Sequence, residues 1–123
     1  MSKTNQKSIL IIEGDDAIRN GLSDRFKKRG MSVITSSDGY DGYVRACQEI
    51  PDVVICETLL PSMNGYRISR LLKFDNRYKE ISLILMTTNK GGNFQDLFQS
   101  CGANYFLEKP FRFKELLSLL EEE

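Results

Sequence analysis

The sequence of 123 residues has no histidine, and its three cysteines, Cys47, Cys56 and Cys101, include no Cys-x-x-Cys pair. A zinc site built from thiolates and imidazoles is therefore a poor reading. Hydrolytic triads lose their commonest base, so any catalysis would have to use carboxylates or lysine. The odd cysteines read as buried free thiols, since cysteine behaves as a small hydrophobe. Excess charge is also missing, with 17 Lys and Arg against 17 Asp and Glu. Nothing draws in a nucleic-acid backbone, and no acidic surplus favours disorder. The apolar runs are strand-sized, far short of the roughly 20 residues of a membrane span, and residues 1–7 lack a signal peptide's apolar region. These absences set the expectation of a cytoplasmic protein with neither nucleic acid nor membrane as a direct partner. The length suits a single domain over residues 1–123. The acidic ending Glu121-Glu122-Glu123 reads as a solvated helix end, and is also compatible with an N-terminal domain of a longer protein.

What is present is an alternation of short apolar runs with helix-period segments, the pattern of βαβ units. Strands are expected over residues 8–12, 32–35, 53–56, 82–87 and 105–107. The first, third and fourth are apolar throughout, as strands buried on both faces are; the second and fifth are more mixed and belong nearer the edges. The first helix places Ile18, Leu22 and Phe26 on one side, opens at Asp15-Asp16 and stops at Gly30. The second, over residues 40–49, is expected to carry Tyr43, Val44 and Cys47 inward. The third, after Asn64-Gly65, buries Ile68, Leu71 and Leu72. The fourth carries Phe94, Leu97, Phe98 and Cys101 and ends at Gly102. The fifth follows Pro110 with Phe113, Leu116, Leu117 and Leu120 inside. Gly91-Gly92 reads as a turn. Right-handed crossovers then give a doubly wound (βα)₅ parallel five-stranded sheet with helices on both faces.

In such a sheet the strand endings share one edge. Glu13, Glu57, Thr87 and Lys109 each stand where an apolar run stops, so they are expected to converge on one pocket. A carboxylate pocket built for a metal wants a second acid beside Glu13, and the next residue is Gly14. Residues 9–19, 51–65, 83–88 and 102–111 carry these positions, together with Pro61-x-Met63-x-Gly65 and Lys109-Pro110-Phe111. On these motifs the chain resembles, over essentially its whole length, the receiver domains of two-component response regulators.

That resemblance implies a flavodoxin-like receiver architecture. It also implies a chemistry: two acids after the first strand and an aspartate after the third hold Mg²⁺, and the aspartate accepts a phosphoryl group. A Thr or Ser after the fourth strand and a lysine before a proline then contact the phosphoryl oxygens. The metal prefers hard oxygen ligands, and lysine and hydroxyl act as positioned donors. Here Glu57 takes the place of the phosphoacceptor, Thr87 and Lys109 are the phosphoryl-contact positions, and Phe106 stands where the family places its rotating aromatic. The acidic-pocket positions are Glu13, Gly14 and Asp15, with Gly14 replacing the second acid if Arg19 and the helix pattern set the register. A shifted register would instead make Asp15-Asp16 the acid pair.

Glutamate's extra methylene pushes the carboxylate about a bond length further into a site where about 1 Å of misplacement can cost about 100-fold. A fixed Glu57–Lys109 ion pair is therefore expected, crudely resembling an aspartyl phosphate; the alternative reading of Glu57 is drift at a site no longer selected for chemistry. With Gly14 in place of an acid, Mg²⁺ binding is expected to be weak or absent and no cofactor is expected. Proline disfavours the α region for its predecessor, which aims the Lys109 amine across the sheet edge. Leu59 and Leu60 make the rim apolar, and Thr88 narrows access.

The leading reading is a pseudo-receiver, not an enzyme. It would work as a phosphorylation-independent interaction module meeting a protein partner through its fourth helix, fifth strand and fifth helix. One alternative is a working phosphorelay receiver using Asp15 or Asp16 for metal. A flavodoxin-like cofactor carrier is a minor one, because the loop Glu13-Gly14-Asp15-Asp16 repels phosphate. Among the tyrosines, Tyr40, Tyr43, Tyr66 and Tyr78 are candidate interface anchors.

Overall fold

The apolar run at residues 8–12 becomes β1 (Ser8–Ile12), which pairs in parallel with β2 (Ser32–Ser36) on one side and β3 (Val53–Glu57) on the other. Strands β4 (Ser82–Thr87) and β5 (Tyr105–Glu108) follow, so the sheet order is β2-β1-β3-β4-β5. A computed structural model provides these coordinates and describes residues 7–88 and 93–121. The turn read at Gly91-Gly92, the opening residues 1–6 and the last two glutamates lie outside the described residues.

The mixed second and fifth runs are the edge strands, as their composition suggested. Three strands run one residue beyond expectation, because pairing continues at Ile12–Ser36, Glu57–Met86 and Thr87–Glu108. Glu57 is thereby the last residue of β3 rather than the first beyond it.

Side chains alternate across the sheet, as the strand period of 2 requires. Leu10, Ile12, Val54, Cys56, Leu83 and Leu85 face a core shared with α2 (Gly39–Glu49), α3 (Gly65–Lys73) and α4 (Phe94–Cys101). Ile9, Ile11, Val53, Ile55, Ile84 and Met86 face α1 (Asp16–Lys28) and α5 (Phe113–Glu121). All twelve are at most 1% exposed, and complete burial of each large side chain contributes about 1.5–3 kcal/mol. This two-sided core fixes the sheet edge on which the candidate site stands. Cys56 and Cys101 are buried and Cys47 half-buried, all as free thiols.

The starts of α1 and α3 follow their sequence signals, and α2 adds a cap not named among those signals. Asp15, Asp38 and Asn64 cap α1, α2 and α3, each accepting a backbone N–H three residues on. The helix faces need correction. On α2 Tyr43 and Cys47 pack half-buried against the core as expected, Val44 is half-buried outside that cluster, and the fully buried residues are Gly42 and Ala46. The helix lies so close to β1 that a Cβ at Gly42 would come within 2.6 Å of the Ile12 side chain. On α3 Ser69 is buried in place of Leu71, donating to the Cys101 carbonyl at 2.9 Å. Leu97 and Phe98 on α4 and Phe113 and Leu117 on α5 are half-buried, flanking Phe94, Cys101, Leu116 and Leu120. Of the four tyrosines read as candidate anchors, Tyr40 is 57% exposed and Tyr78 is buried at 8%; Tyr43 and Tyr66 are half-buried.

Candidate functional site at the carboxyl edge of the sheet

The ends of β1, β3, β4 and β5 do bring the four strand-end residues to one edge. Glu13 follows β1 and is 3% exposed, Glu57 closes β3 at 7%, and Thr87 closes β4 at 1%. Lys109 follows β5, and its backbone N–H donates to the Thr87 carbonyl at 2.8 Å. The Lys109–Pro110 peptide bond is cis, a feature the extended geometry expected before proline did not include.

Close packing of α3 holds Glu57 in place. A Cβ at Gly65 would lie 2.4 Å from the Glu57 carbonyl oxygen, so only glycine lets α3 start this near the end of β3. The Gly65 N–H donates to the Thr58 carbonyl at 2.8 Å, closing the same turn.

Lys109 is the centre of the site. Its ammonium donates to Glu13 Oε1 at 2.7 Å and also to Glu57 Oε1. The Glu57–Lys109 contact was expected; the sharing of the lysine with Glu13 was not. Burial on its own pulls the Lys109 amine down, but hydrogen bonds to Glu13 and Glu57, with their charges, outweigh it and hold the amine above its ordinary value. The ammonium is thus charged at neutral pH and is the donor that the two glutamates share.

The remaining carboxylate oxygens are also occupied. Glu57 Oε2 accepts from the Leu59 backbone N–H at 2.9 Å and from the Thr58 hydroxyl at 3.2 Å. Glu13 Oε2 accepts from the Asp15 backbone N–H at 3.0 Å. No buried side-chain N or O among the described residues lacks a hydrogen-bond partner.

The acids of the first loop point elsewhere. The Asp15 carboxylate caps α1 by accepting the Ile18 N–H at 2.9 Å. Asp16 is exposed and pairs with Arg19, whose guanidinium also donates to the Glu13 carbonyl at 2.9 Å. Gly14 is exposed, and a Cβ there would meet only the Ser37 carbonyl oxygen at 3.8 Å. The missing side chain at Gly14 is therefore not demanded by packing. Among the described residues no group of three or more His, Cys, Asp or Glu side chains is arranged to hold a metal ion.

Phe106 lies outside this cluster, on the α4 side of β5, with its ring centroid 4.5 Å from that of Phe94 and 5.8 Å from that of Phe98. Buried Phe94 had been read only as a helix-core residue, yet with Thr58, Leu59, Tyr66 and Thr87 it borders a cavity of about 150 Å³ beside the site. Of the two leucines expected at the rim, Leu59 is 68% exposed and Leu60 packs half-buried against the core.

Comparison with known proteins gives this edge a context. The family model for the response regulator receiver domain matches residues 9–121. Protein PilG of Pseudomonas aeruginosa is 26% identical, over 92% of this chain and 84% of PilG. The DNA-binding dual master transcriptional regulator RpaA of Synechocystis is 33% identical over 89% of this chain, which spans 46% of RpaA. Among solved structures, the chemotaxis response regulator CheY4 of Vibrio cholerae superposes with a TM-score of 0.86 at 25% identity, covering 95% of this chain and 98% of CheY4.

Proposed function

Because the chain belongs to the response regulator receiver domain family, we propose that it acts in two-component signalling as a pseudo-receiver, a phosphorylation-independent module that signals by binding a protein partner. The observation that carries this reading is the state of Glu57. Its carboxylate already accepts from Lys109, from the Leu59 N–H and from Thr58, so donors suited to a phosphoryl group are engaged by a carboxylate of the chain itself. Glu57 on this reading is a built-in stand-in for negative charge at the phosphoacceptor position.

Magnesium fits this donor set poorly. Glu13 and Glu57 are both bonded to the Lys109 ammonium, Gly14 offers no ligand, and Asp15 and Asp16 are engaged by Ile18 and Arg19. An ion needing several hard oxygens in near-octahedral array would have to displace the lysine first. The chain accordingly has no enzymatic role and no cofactor in this proposal. The partner face is α4, β5 and α5, where Phe94, Phe98 and Phe106 form one aromatic cluster behind the site. No helix among the described residues is long and apolar enough to cross a membrane; that the module meets its partner in the cytoplasm is part of the proposal.

Incubation with acetyl phosphate and Mg²⁺ followed by intact-mass spectrometry tests the reading. The expected spectrum is unchanged; a hydroxylamine-sensitive mass gain of one phosphoryl group would show that Glu57 or a neighbouring acid still accepts phosphate.

A further inference from the structure

We propose that the cleft between α1 and the turn from β5 to α5 is a binding site for a small amphipathic anion, a molecule with an apolar body and a carboxylate-like head. The cleft is a cavity of about 450 Å³ whose lining includes Ile18, Gly21, Leu22, Pro110 and Phe111, with Arg25 among its walls. That volume falls within the roughly 300–1,000 Å³ of small-molecule sites, which are mostly apolar with a few placed polar groups. Lys109 also lines it. With its ammonium bonded to Glu13 and Glu57, the lysine leaves its methylene stem to the apolar wall.

Charge complementarity selects the head group. Arg25 and Gly21 also border a second, more polar cavity, together with Lys28, Arg29 and a single acid, Asp24. The guanidinium carbons of Arg25 and Arg29 lie 5.4 Å and 5.9 Å from the Phe113 ring centroid. Neither arginine has a carboxylate partner among the described residues. Three cations against the one acid Asp24 in that cavity, two of them held over an aromatic ring without an ion pair of their own, make a seat for an anion.

Gly21 points the same way. Glycine inside a helix weakens it relative to alanine, and Gly21 sits well inside α1. A Cβ there would meet nothing within 4 Å, so no contact within the chain requires the side chain to be missing. What its absence does is keep the cleft floor open where the two cavities meet.

The test uses the anionic dye 8-anilinonaphthalene-1-sulfonate as probe, followed by fluorescence, with decanoate and decyltrimethylammonium as competitors below their micellar concentrations. Saturable binding at one site is expected, displaced by decanoate and not by the cation. Gly21→Leu, which fills the floor, and Arg25→Gln, which removes the charge, should each weaken binding about fivefold or more, as loss of a charge-assisted contact does. Both positions are exposed, and circular dichroism checks that each variant is folded. Dye binding that both substitutions leave unchanged, or equal displacement by the cation, overturns the proposal. So does displacement by an acidic amphipathic peptide but not by decanoate, which would mean a docked helix. Cosedimentation with phosphatidylglycerol vesicles without binding of monomeric decanoate overturns it too, in favour of a lipid surface.

Discussion

Replacing Lys109 with methionine keeps most of the unbranched side chain, one atom shorter, and removes its charge, leaving Glu13 and Glu57 facing each other at 3% and 7% exposure. Both lose their shared donor, since the ammonium bonds Oε1 of each. Removing one partner of a buried ion pair typically costs about 3–5 kcal/mol, because the charge left behind is uncompensated. Here two carboxylates are left, so the upper part of that range is expected for Lys109→Met. Urea unfolding followed by circular dichroism reads the change. With a slope of about 2 kcal/mol per molar urea for a domain of this size, the midpoint should fall by roughly 2 M. The informative control is Glu13→Gln/Glu57→Gln/Lys109→Met. Removing all three charges together should recover most of the loss, since the cost lies in the unpaired carboxylates rather than in the pair itself. A Lys109→Met protein within about 1 kcal/mol of the parent would refute the reasoning, because an exposed pair of median worth gives that result.

The pH dependence of the same cluster has a definite sign. Lys109 has a folded-state value above its ordinary 10.5, so its contribution is fully present below that pH and is lost as pH rises through the higher folded value; on the alkaline side the gap between parent and Lys109→Met in urea should start to close as pH enters this window. Gly65→Ala places a methyl 2.4 Å from the Glu57 carbonyl oxygen and should destabilise by about 1–3 kcal/mol, as overpacking does; an unchanged urea midpoint would contradict the close approach. Ile50 holds φ at 43° while 53% exposed, and the left-handed region costs a β-branched residue roughly 1–2 kcal/mol. Ile50→Gly should therefore raise stability by about 0.5–1 kcal/mol after the entropy that glycine adds to the unfolded chain, and a lower thermal midpoint would count against that strain.

The parts of this fold that sequence alone made legible are those where one physical signal dominates. β1, β3 and β4 are apolar at every central position because both faces of the sheet are covered. The cap residues Asp15 and Asn64 act within three residues of themselves, whereas Asp38, the cap of α2, was not singled out in the sequence. The inward face of α2 was read in part: Tyr43 and Cys47 do pack half-buried against the core, but the closeness of helix and sheet selected the smallest residues, Gly42 and Ala46, for full burial, and hydrophobicity alone does not announce them. At the site, convergence of Glu13, Glu57, Thr87 and Lys109 follows from parallel strands alone. The sharing of Lys109 by two glutamates does not, since it depends on β1 lying beside β3, and a strand order leaves no trace in residue period. The engagement of Glu57 by the Leu59 N–H was equally out of reach, being a backbone contact that no side-chain pattern announces. The cleft over Gly21 carried a faint signal, a glycine in the middle of an amphipathic helix.

The central claim is that Glu57 and Gly14 together silence phosphoryl chemistry at an otherwise assembled edge. Reversion addresses it directly: Gly14→Asp has room, with no neighbour nearer than 3.8 Å to the new Cβ, and Glu57→Asp draws the carboxylate back from Lys109 and the Leu59 N–H. Intact-mass spectrometry after acetyl phosphate treatment, with and without Mg²⁺, should show the parent unmodified and the double variant modified in a Mg²⁺-dependent way. A parent that becomes phosphorylated as readily as the double variant would contradict the account.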